Sequence, residues 1–69
     1  NYNHIQDFLT HINIDKNIIN KIIFLDFNSL NDILLEDDDI FEKNDISKES
    51  ITYIKNKIQE ELYALSLDI

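Results

Sequence analysis

Three groups of residues in this chain are of types that could do chemistry. His4, Asp7 and His11 stand at i, i+3 and i+7, the spacing of one helix face. Imidazole and carboxylate are zinc ligands, but histidines two turns apart are separated by about 10 Å, too far to share one ion through bonds of about 2 Å. A solvated polar face is expected instead. Glu36, Asp37, Asp38 and Asp39 form an unbroken acidic run, for which calcium is the first ion to consider. An EF-hand loop needs oxygen ligands at positions 1, 3 and 5, glycine at 6 and glutamate at 12. A loop begun at Asp37 puts Phe41 at 5, Glu42 at 6 and the cation Lys48 at 12, so no such loop is expected. The third group centres on Ser29. A serine nucleophile needs a base beside it, and no such pairing is visible; nor is there any glycine for a phosphate loop. No catalytic residue, metal or cofactor is expected, and no enzyme activity.

The elements that position these residues are read from apolar spacing. Ile5, Phe8, Leu9 and Ile12 fall at i, i+3, i+4 and i+7, an amphipathic helix. The stretch Ile12 to Asp15 breaks it, and Asp15 is placed to cap a second helix carrying Ile18, Ile19, Ile22 and Ile23. After a break at residues 26–29, Ser29 with Asp32 three residues on resembles a capping box for a short helix with Leu30, Ile33 and Leu34. Acids are favoured at a helix N-terminus, so Glu36 to Asp38 should open another short helix holding Ile40 and Phe41 and ending at Asn44 and Asp45. Ser47 then caps the longest helix, with Ile51, Ile54, Ile58, Leu62 and Leu65 along one stripe and Glu49 in its first turn. With neither glycine nor proline in the chain, the turns fall to Asn, Asp and Ser. No period-2 alternation is sustained, despite the isoleucine content. The expected fold is all-α, a compact five-helix bundle with a long C-terminal helix.

Composition narrows the function classes. At 69 residues and 8.2 kDa the chain is one domain, hiding roughly 60% of its unfolded surface, which leaves little room for a substrate-sized interior cavity. Its 43% hydrophobic and 29% charged residues are those of a globular domain. Without cysteine it has no disulfide, thiolate metal site or thiol nucleophile. No apolar run approaches the ~20 residues that span a bilayer, and no signal-peptide pattern is present. An intracellular, cytoplasmic location is therefore expected. The first residue is Asn rather than Met, which reads as a module of a longer protein. The wealth of Ile, Asn and Lys reads as the bias of an AT-rich genome. A net charge of -8 repels phosphate backbones and anionic lipid, so neither nucleic acid nor membrane is an expected partner. A basic protein is.

The order of these segments carries a resemblance. "IQDFLTHINI", "IINKIIFLDFNSLNDILL", "DDDIFEKNDI" and "ITYIKNKI" together resemble the sterile alpha motif (SAM) domain over residues 2–62. Phe8-Leu9 is similar to that family's Trp-Leu pair, Ile12 and Ile14 to its next apolar pair, and residues 29–35 to its short third helix. Asp39-Ile40-Phe41 resembles the acid and leucine of the fourth helix, and Asp45-Ile46 stands where the family has Gly-Ile. Departures are Phe8 for Trp, Asp45 for Gly, and Ser50 near an expected Gly. The resemblance implies a five-helix fold, protein–protein association without catalysis, and scaffold or signalling roles. It also implies head-to-tail joining of a mid-loop surface to the start of another copy's last helix. Here the acidic mid-loop surface would be Asp26, Asp32, Glu36, Asp37, Asp38 and Asp39. The end-helix surface would be Ser47, Lys48 and Ser50, helped by the positive potential of a helix N-terminus. Residues 1–42 carry nine acids and two lysines, whereas 43–58 carry two acids and four lysines, a split in the same sense. The partner would be a second copy or another SAM-like domain with a basic surface, and the lone Lys48 favours the latter.

Two other readings stand beside this one. Asn28-Ser29-Leu30 resembles the Asp-Ser-Leu phosphopantetheine site of acyl carrier proteins, which are small and acidic like this chain (pI 4.3). Against it, Asn28 replaces the aspartate, and the helix after Ser29 is interrupted by the acidic run. Alternatively, the bundle presents an apolar groove to a partner helix, with Tyr53, Tyr63 or Leu67 exposed beside it.

Overall fold

A computed structural model describes the backbone of residues 2–67 and the side chains of residues 4–65. Five helices follow in order: α1 (Tyr2–His11), α2 (Lys16–Phe24), α3 (Leu30–Leu35), α4 (Asp38–Glu42) and α5 (Lys48–Leu67), with no strand among the described residues. Each apolar stripe turns inward. In α1, Ile5, Phe8, Leu9 and Ile12 are all buried, and in α2 Ile19 and Ile22 are, with Ile18 and Ile23 packed at the margin. α1 lies against α2, while α3 and α4 pack on α5. That last helix is about 30 Å long in a molecule whose long axis is 37 Å. Between Ile22, Ile33, Phe41 and Ile54 the core has no room for a water-sized molecule.

The helix ends explain how a chain without glycine turns so often. Asp15 accepts from the Asn17 N–H, Ser29 from Asp32, Asp37 from Asp39 and Ser47 from Ser50, so side chains satisfy amides left over at the starts of α2 to α5. Past the ends of α1, α2 and α4, Asn13, Asp26 and Asp45 adopt φ of 65°, 61° and 62°, a conformation Asn and Asp tolerate better than most residues. Two of these ends are Schellman motifs. The Ile14 amide donates to the Leu9 carbonyl and Asn13 to Thr10; likewise Ile46 donates to Phe41 and Asp45 to Glu42. Phe41 and Ile46 are both fully buried.

One expectation about the elements needs correction, and two apolar residues are more exposed than their neighbours. Glu36 does not open α4; it is the C-cap of α3, and Asp37 is the N-cap of α4. Ile40 is 37% exposed, because in a five-residue helix Phe41 takes the core position and its neighbour is turned about 100° away. Leu65 is 51% exposed, since the stripe of α5 outruns the short helices that cover it, with Leu62 half-buried between. No helix among the described residues is long and apolar enough to cross a membrane.

Candidate functional site: the acidic face around Leu35

The junction of α3 and α4 carries the acidic run Glu36 to Asp39, and one lysine divides it. The Lys55 ammonium, from the middle of α5, donates to the Glu36 carbonyl at 2.6 Å and to Asp38 Oδ1 at 2.6 Å. It also lies 5.7 Å from the centroid of the Phe41 ring, within reach of a cation–π interaction. Phe27 stacks on Phe41 as well, with ring centroids 5.6 Å apart and planes 22° apart. Asp38 is thus neutralised within the molecule. Asp37 is spent on the α4 cap, and Asp39 is exposed. The acidic run is in good part a folding device: it caps a helix and fastens it to α5.

Carboxylates remain free elsewhere on this face. Asp26 and Asp32 are exposed, and no ion pair engages either among the described residues. With Glu36 they border an open groove of about 350 Å³ whose apolar lining is Leu25, Phe27 and Leu35. Leu35, the last residue of α3, is 74% exposed. On its other side lies a second groove, about 460 Å³, where the Lys55–Asp38 pair is joined by Thr52, Asn56 and Gln59. Leu35 is therefore an apolar ridge with an acidic flank and a neutral one. Sequence reasoning placed Asp26, Asp32 and Glu36 here but missed Leu35 and the lysine that removes Asp38 from the set.

The end-helix residues come together at the start of α5. Ser47 Oγ accepts from the Ser50 amide and donates to Ser50 Oγ at 3.0 Å, so both hydroxyls are occupied in the cap. Lys48 is exposed beside Glu49. The neighbouring groove is bordered by Asp15 and Glu49 as well as Ile12, Ile14 and Tyr53, whose hydroxyl donates to the Ile12 carbonyl at 3.1 Å. This end is consequently not basic.

The other sequence candidates do not converge. His4, Asp7 and His11 are exposed on α1, and no group of three potential ligands could hold a metal ion among the described residues. Ser29 is half-buried as the cap of a six-residue helix, unlike the long helix that a carrier serine opens. Tyr53 and Tyr63 are 43% and 68% exposed, while the Leu67 side chain lies outside the described residues. Phe24, 84% exposed at the end of α2, was not anticipated. Comparison with protein-family models, with curated proteins and with solved structures finds no match to this chain.

Proposed function

We propose that this chain is a non-catalytic protein–protein interaction module of the SAM type, serving association within a larger intracellular protein. One observation carries the reading: a leucine left almost bare at a helix end, beside Asp26 and Asp32, which no lysine pairs. Unpaired charge around exposed apolar surface is the make-up of a recognition face. The five-helix architecture with its long last helix fits the same class. The partner is a protein with a basic surface. Neither nucleic acid nor an anionic membrane suits a face of this sign.

The test is mass by light scattering, for the chain alone and mixed with SAM domains whose end-helix surfaces are basic. A combined mass that falls with salt and is lost in Asp32→Lys supports the proposal. An unchanged 8.2 kDa species in every mixture contradicts it.

A further inference from the structure

We infer that the Leu35 ridge seats a cationic amphipathic segment of a different protein, in one orientation, and not a second copy of this chain. The inference rests on the association reading above and says which partner chemistry the face takes. The two flanks of the ridge differ in charge. Toward α2, Asp26, Asp32 and Glu36 border the groove with no lysine among its lining. Toward α5, the one acid, Asp38, is already held by Lys55, and the rest of the polar lining is Thr52, Asn56 and Gln59. A segment lying across Leu35 therefore gains by placing cations over the first flank and uncharged polar groups over the second. Its apolar stripe covers Leu35 between them.

A second copy cannot supply such a segment. Lys21 is bound to the Asp45 carbonyl, Lys55 to Asp38 and Lys57 to Glu60. The remaining lysines each have an acid next in the chain: Lys16 follows Asp15, Lys43 follows Glu42, and Lys48 precedes Glu49. No stretch of this chain offers two unopposed cations side by side. Two copies, each at -8, also repel one another at long range.

The experiment is fluorescence anisotropy at low salt, using a labelled helical peptide of about five turns with leucines on one stripe and lysines on one adjacent flank. A counterpart carrying glutamate for lysine is the control. The lysine peptide is expected to bind and the glutamate peptide not to. Leu35→Ser should weaken binding by about tenfold or more, and Asp26→Asn or Asp32→Asn by about two- to fivefold each. Asp39→Asn removes the same charge away from the groove and should leave affinity nearly unchanged. Equal effects of Asp32→Asn and Asp39→Asn, or no effect of Leu35→Ser, would overturn the inference, as would absence of binding. Concentration-dependent growth in mass of the chain alone, stopped by Leu35→Ser, would also overturn it while leaving the association reading intact. That reading fails separately, if the basic SAM domains do not bind either.

Discussion

Replacing Lys55 by methionine removes the ammonium that ties α5 to the α3–α4 junction while keeping most of the stem. Three contacts go at once: the Glu36 carbonyl at 2.6 Å, Asp38 at 2.6 Å and the Phe41 ring at 5.7 Å. A hydrogen bond to a half-buried carbonyl contributes about 1 kcal/mol. The ion pair has side chains 20% and 38% exposed, so solvent screening limits it to about 0.5 kcal/mol. The cation–π contact adds about 0.5 kcal/mol. The expected loss is then about 2 kcal/mol, which in a domain of this size lowers Tm by roughly 8–16 °C. Circular dichroism during thermal and urea unfolding measures it. Asp38→Asn, which spares the carbonyl and the ring contacts, should cost only about 0.5 kcal/mol, and the two changes should couple by a similar amount. A cost of Lys55→Met below about 0.5 kcal/mol, within the ordinary range for surface changes, would contradict this role for Lys55. So would a cost of Asp38→Asn as large as that of Lys55→Met.

Other expectations follow from the caps, the turns and the core. Ser47→Ala removes the acceptor for the Ser50 amide and should lower unfolding free energy by about 1 kcal/mol in urea titration. Asp45→Gly relieves a φ of 62° and leaves intact the backbone carbonyl that Lys21 uses; a gain of a few tenths to about 1 kcal/mol is expected, read as a raised urea midpoint. Ile58→Ala, at a site with no exposure, should cost about 2–5 kcal/mol. Leu65→Ala, half exposed on the same stripe, should cost well under 1 kcal/mol, and thermal melts of the pair read the contrast directly.

The local features of this fold were legible because they depend on residues a few positions apart. The 3–4 spacing of Ile5, Phe8, Leu9 and Ile12 marked the buried face of α1, and Asp15, Ser29 and Ser47 cap where their types and positions suggested. Asp45 was readable as a left-handed turn residue because the chain offers no glycine there. What stayed hidden depends on contacts distant in sequence. Nothing near Asp38 announces that Lys55, seventeen residues away, will neutralise it. So a run of four acids looked like a single charged surface. The spacing of Leu30, Ile33 and Leu34 did mark the inner face of α3, but it said nothing of Leu35, which no other element covers. Leu65 stands on a stripe that is regular in sequence, whereas the cover over it ends with the bundle.

The most direct test of the acidic face is a backbone amide NMR map of the chain bound to a basic SAM domain. Shifts clustered at residues 25–28 and 32–36 are expected, with Asn13 to Ile18 and Lys48 to Tyr53 undisturbed. Shifts gathered instead at those latter residues would place recognition at the start of α5 and contradict the role assigned to Leu35 and its carboxylates.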